Sequence, residues 1–189
     1  EMIIVGGSVI LGLPLPLLPV QILWLNLIID GFLNIGIASE RSEINFKKYN
    51  HKRYRGNILN RYDIVRMLIM ALTMSIVSLV AFVVIIKTVV LEIARTFMLV
   101  IVSAFQWFNA INSRKHTQSV FTFNIFNNLS ITGILVFEVL LVGLSIFTGV
   151  GNKLLETVPI GHNLIILAIV LSLVIIIADE LYKLVNRRA

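Results

Sequence analysis

Within "LPVQILWLNLIIDGFLNIGIA" an amide at Asn26 and a carboxylate at Asp30 stand in an otherwise apolar run. A charge at the centre of a bilayer costs ~2.5 kcal/mol or more, so a carboxyl at that depth is by default functional and needs a named partner. Three carboxyls qualify: Glu1, Asp30 and Glu138. On a helix, Asn26, Asp30 and Asn34 recur at i, i+4 and i+8 and form one polar stripe. Gly31 and Gly36 interrupt the same segment and predict that it loosens near Asp30, turning backbone carbonyls toward a cavity, where protein or water must cover them. Carboxylate, amide and carbonyl oxygens are what a hard cation such as calcium prefers. The competing reading is interhelical hydrogen bonding, which is preferred for Asn34. For Asn26 and Asp30 with a nearby Glu1, cation binding is preferred, because an isolated buried carboxylate otherwise has to stay protonated.

Gln106 lies mid-helix in "VSAFQWFNAINS", with Trp107 beside it and Asn109 at i+3 on the same side. It reads as glue between helices or as an ion ligand. Glu138, in "GILVFEVLLVG", is open between a protonated bundle carboxyl, a proton relay and part of an additional ion site. Glu92 and Arg95 form a solvated pair at a helix end. No soluble catalytic constellation is present: His51, His116 and His162 fall in three separate connections, and "GVGN" lacks the Lys and the preceding strand of a phosphate loop. There is no cysteine, hence no disulfide framework and no thiolate metal site.

These residues sit in a chain of 189 residues that is 58% hydrophobic and 14% charged, with mean hydropathy +0.94. That is a membrane protein by composition. Apolar runs from Leu17 to Ala38, Met67 to Ile86, Thr96 to Ile111, Leu129 to Thr148 and Leu164 to Ala178 approach the ~20 residues that span a bilayer. They lack the dyad alternation of barrel strands, so the prediction is an all-α bundle of five full transmembrane helices. Pro14, Pro16 and Pro19 turn the chain before the first of them. Residues 1–13 rise only ~20 Å as a helix, too little to span. With the initial Glu, this predicts a piece of a longer protein, beginning inside a membrane helix; it has no signal-peptide pattern.

The net charge of +6 does not point to nucleic acid, because its distribution follows the membrane. The connection 39–66, the Arg114–Lys115 pair and the C-terminus hold 13 Lys and Arg against 3 on the opposite side. By the positive-inside rule the former are cytoplasmic. The basic, moderately aromatic 39–66 loop reads as a solvated connection near anionic headgroups.

"LGLPLPLLPVQILWLNLIIDGF" resembles the end of the fifth and the whole sixth transmembrane helix of type II P-type cation-transporting ATPases. "ARTFMLVIVSAFQWFNAINSRK" is similar to their eighth helix, and "ADELYKLVNRR" to the close of their tenth. The resemblance implies this assignment: 1–13 end of the fifth helix, 17–38 sixth, 39–66 cytoplasmic loop, 67–86 seventh, 94–113 eighth, 127–148 ninth and 163–181 tenth. It implies cation transport driven by ATP, with Glu1, Asn26 and Asp30 as ion ligands and Gln106 completing a site in some members. It also implies that ATP and magnesium act only through cytoplasmic domains that these residues do not include. The partners implied are those domains, the preceding transmembrane helices and the lipid bilayer. The fragment alone is not expected to hydrolyse ATP.

Two departures bear on the ion. Two-site calcium pumps place a threonine before the sixth-helix aspartate and a glutamate in the eighth helix, where this chain has Ile29 and Gln106. Both changes remove oxygens from the same site, so one calcium per cycle is expected. Sodium/potassium pumps resemble the chain at Gln106, Trp107 and Glu138 but have an aspartate where it has Asn26. Calcium is therefore preferred over sodium, protons or another monovalent cation. The reading from a different class is a standalone helical membrane protein that binds partners or forms a passive ion path.

Overall fold

A computed structural model of the chain describes residues 1–38, 61–114, 119–120 and 128–186. The basic connection 39–60, with six of the cations counted above, lies outside the described residues, as do Lys115, His51, His116, Arg187 and Arg188. Among the described residues all regular structure is helical. Five helices are long and apolar enough to cross a membrane.

The first helix, α1 (Met2–Ile10), ends where Gly12 takes a left-handed φ of 67°. Its closing carbonyls are satisfied by the N–H groups of Leu11, Gly12 and Leu13, the closure that glycine permits without Cβ strain. A proline-rich turn then leads to α2 (Pro19–Ala38), which Pro19 opens in its first turn. Gln21, fully buried, fixes that end: its Oε1 accepts from the Leu18 N–H and its Nε2 donates to the Leu155 carbonyl, both at 3.0 Å. The middle of α2 is a π-turn over Leu25–Ile29, in which the Asp30 N–H bonds the Leu25 carbonyl.

The next helices are α3 (Arg61–Ile85), α4 (Leu91–Ser113) and α5 (Leu129–Phe147). The centre of the bundle is α4: 61% of its apolar window is buried, against 22–33% for the other spans. It packs against α2, α3, α5 and both halves of the last span. Outward-facing Leu23, Leu27, Ile76, Val80, Leu140 and Val170 are exposed, as in a bundle whose solvent is lipid rather than water.

The connection after α5, which includes the glycines of "GVGN", contains a short helix, α6 (Gly149–Leu155). Thr148 caps it by accepting from the Gly151 N–H, and Leu155 is buried. At Gly151 an added Cβ would lie 2.5 Å from the Ser145 Cα and 2.7 Å from the Leu144 carbonyl oxygen. Because backbone, not a flexible side chain, occupies that space, Gly151→Ala is expected to destabilise the protein by about 1–3 kcal/mol, read as a lowered unfolding temperature in detergent. An unchanged transition would show that α6 packs differently.

The last span divides into α7 (His162–Ser172) and α8 (Val174–Asn186). At the division the Ser172 hydroxyl bonds the carbonyls of Ala168 (2.7 Å) and Ile101 (3.2 Å). A serine that inserts into its own helix ladder in this way bends the helix.

Where α3, α4 and α8 meet, Asp179 is fully buried and accepts from Arg66 Nε (2.6 Å), Arg66 Nη2 (2.9 Å) and Lys183 Nζ (2.8 Å). Arg66 Nη2 also donates to the Asn112 carbonyl (2.9 Å), and Asn112 Nδ2 to the Ile175 carbonyl (3.3 Å). Three spans are thereby tied at one end.

Candidate cation site

The polar residues of α2 are positioned by the π-turn. Leu25 and Ile29, its first and last residues, are both fully buried in the core. Asn26 and Asp30 lie on the other side of this anchor and face a cavity of about 570 Å3. A π-turn adds a residue to the helical repeat and is often found at functional sites. Here it comes just before Asp30, near which the helix was expected to loosen, and not at the glycines on which that expectation rested. Both glycines lie in regular α-helix. Gly36 serves packing instead: a Cβ there would stand 3.1 Å from Ile134 Cδ1 and 3.3 Å from Ile131 Cγ1 of α5.

Glu1, Asn26, Asp30 and Gln106 line this one cavity, with Met2, Val5 and Ile22 as its apolar wall. Asn26 Nδ2 donates to Glu1 Oε2 at 3.1 Å. Glu1 Oε1 and Gln106 Oε1 are buried without a hydrogen-bond partner among the described residues. Glu1 and Asp30 lie close enough for their charges to interact. Four oxygen-bearing side chains from α1, α2 and α4 thus converge, two of them carboxylates.

The other sequence candidates lie elsewhere. Asn34 is exposed and does not line the cavity, so the i, i+4, i+8 stripe stops at Asp30 although the α-helix is regular from Asp30 onward. Asn109 is also absent from the lining; its carbonyl accepts from the Ser113 hydroxyl. Glu138 on α5 is fully buried, and neither carboxyl oxygen completes a hydrogen bond among the described residues. The Trp107 indole lies close to it, and it is within electrostatic reach of Asp30. Ile29, apolar where a hydroxyl ligand was looked for, points into the core. Among the described residues no three His, Cys, Asp or Glu side chains form a metal-ligand group by themselves. A cation in this cavity must therefore also use the amide oxygens of Asn26 and Gln106.

The apolar residues of the cavity wall were not anticipated, nor was Ser78, which borders a second cavity. The serines spaced i, i+3 at Ser75 and Ser78 in an apolar helix were the available signal.

Five helices of spanning length, with an open cavity between them onto which two carboxyls and two amides project, define a multi-pass membrane protein. Residues 14–185 match the family described as "Cation transporting ATPase, C-terminus", and the chain belongs to that family. It is 25% identical over 162 residues to a calcium-transporting ATPase of Bacillus subtilis (strain 168), covering 85% of this chain and 18% of that protein. It is 26% identical over 194 residues to calcium-transporting ATPase 1 of Schizosaccharomyces pombe (strain 972 / ATCC 24843), covering 98% of this chain and 21% of that protein. The chain thus spans about a fifth of the length of these relatives.

Proposed function

We propose that the chain is the ion-binding membrane part of an ATP-driven pump that exports calcium, binding one calcium at Glu1, Asn26, Asp30 and Gln106. The observation that carries this reading is that residues as far apart in sequence as Glu1 and Gln106 line one cavity. The names of the two relatives support the choice of ion. The chemistry of the donor set supports the number of ions. Two carboxylates and two amides offer at most about six side-chain oxygens, and calcium takes 6–8. That is one shell, completed by backbone or water, and not two.

The two carboxylates also balance the charge of one divalent ion. The Asn26 amide N–H donates to Glu1 Oε2. For Asn26 to act as a ligand, its amide must turn so that the oxygen replaces the nitrogen, and Glu1 passes from the amide to the ion.

In this reading residues 1–13 close the fifth helix of the pump and 17–38, 67–86, 94–113, 127–148 and 163–181 are the sixth to tenth. The excess of cations places the 39–66 connection and the C-terminus in the cytoplasm. ATP and magnesium act through the remaining parts of the pump. The buried Glu138 beside Trp107 supports a second reading, in which a monovalent cation or proton is carried.

Titration of the full-length protein's ATPase activity with calcium and with sodium separates the two. Activation by calcium, with one calcium bound per phosphorylated enzyme, is the expected result. Activation by sodium without calcium dependence would overturn it. An upstream reading frame that is not in phase with this chain would instead favour a standalone membrane protein.

A further inference from the structure

A second cavity of about 300 Å3 lies against the first, between α1, α3 and α4, and Glu1, Met2 and Gln106 border both. On its far side, on α3, is Ser78. Buried hydroxyls elsewhere in the bundle bond a carbonyl of the preceding helical turn. Ser75 donates to Ala71, Ser103 to Leu99, Thr96 to Glu92, Ser145 to Val142 and Ser172 to Ala168. Ser78 is fully buried and does not, and its Oγ has no hydrogen-bond partner among the described residues. The same is true of Gln106 Oε1 and Glu1 Oε1, which share this cavity with it.

Glu1 and Gln106 have the cation as a partner, whereas Ser78 Oγ, on the same chamber, has none among the described residues, and an unmet buried group costs about 1–3 kcal/mol. The remaining lining, which includes Met74, Val102 and Phe105, is mostly apolar. A divalent ion of its own is excluded by the oxygen count, because calcium needs 6–8 oxygens and magnesium a near-complete octahedron. Water fits: it needs 2–4 polar partners and can both accept from Ser78 and donate to Gln106 and Glu1.

We propose that this chamber is a hydration site coupled to the cation site, in which Ser78 holds water against Gln106 and Glu1 and that water completes the shell of the bound cation. Ser78 is then a positioning residue for cation affinity, although it does not line the main cavity. The inference rests on the cation-site reading of Glu1 and Gln106.

The test uses the full-length protein with Ser78→Ala and Ser78→Cys, titrated with calcium. Loss of a water-mediated contact is expected to raise the calcium concentration for half-maximal ATPase activity about three- to tenfold, with the maximal rate and thermal stability preserved. The thiol, a weak donor, should fall between Ser and Ala. A purely structural serine would instead lower stability and leave half-saturation unchanged, and that result overturns the proposal. If Ser78→Ala does not fold, Ser78→Cys and a high-resolution map decide: a water within hydrogen-bond distance of Ser78 Oγ is expected, and an Oγ bonded to the Met74 carbonyl refutes it. Asp30→Asn run in parallel separates the two levels. Unchanged calcium dependence in Asp30→Asn means that the cation site itself is misassigned. A calcium defect there with an unchanged Ser78→Ala means that only the hydration site is.

Discussion

Asp30→Asn in the full-length protein is expected to abolish calcium-dependent phosphorylation by ATP at ordinary calcium concentrations, while the protein folds and inserts normally. The substitution keeps the shape of the side chain and removes one of the two charges that face the cavity. Removing the charge of one partner in a close ionic contact costs about 2–5 kcal/mol, so the apparent calcium affinity should fall by roughly thirty- to several-thousandfold. Folding should survive because Asp30 is only partly buried and its neighbour Glu1 keeps its hydrogen bond from Asn26. Asn34→Ala is the companion control. Asn34 is exposed and outside the cavity lining, so its loss should change the affinity by less than about threefold. Equal defects in the two variants, or near-normal calcium dependence in Asp30→Asn, would mean that the α2 polar residues act through the helix and not as ligands.

The spans were legible because lipid imposes a length and forbids unpaired backbone, and both constraints act on local sequence. The convergence of Asn26 and Asp30 was legible for the same reason: polar atoms in a run such as "LNLIID" must face something other than lipid. The π-turn was not. Its first and last residues, Leu25 and Ile29, are both buried against the bundle, a packing that no propensity of "LNLII" announces, and the glycines that suggested a weak point have other surroundings. Gly36 is read correctly only once Ile131 and Ile134, about a hundred positions away, are in place. The helix α6 hid behind glycines for a related reason. Gly151 is there to let the backbone of α5 approach, and tertiary contact overrides its poor helix propensity. Gln106 was ambiguous by itself; its oxygen on a cavity shared with Glu1 and Asp30 is a fact of packing between α1, α2 and α4.

Asp179→Ala is expected to be the most destabilising single change among the described residues. In the sequence Asp179 is one carboxylate in "ADELYK", and Arg66 one of the cations at the start of a span. The fold brings them together across 113 positions. Removing Asp179 leaves Arg66 and Lys183, 8% and 3% exposed, as like charges without the carboxylate that separates them. Glu180 lies 3.8 Å from Lys183 and is itself engaged by the Val120 N–H at 2.8 Å. Breaking a buried pair from one side costs about 3–5 kcal/mol, a large part of a typical stability of 5–15 kcal/mol, and thermal unfolding in detergent should show it directly. The triple variant Asp179→Leu with Arg66→Met and Lys183→Met should recover much of the loss, since apolar replacement of the whole cluster removes the uncompensated charges. That recovery distinguishes a desolvated charge from a missing contact, and its absence would mean that the hydrogen bonds to Asn112 carry the stability instead. Because Gln106 and Asn112 share α4, the same cluster fixes the helix from which Gln106 reaches the cation cavity. A folded Asp179 variant should therefore lose calcium affinity too, but by far less than Asp30→Asn, because no ligand has been removed.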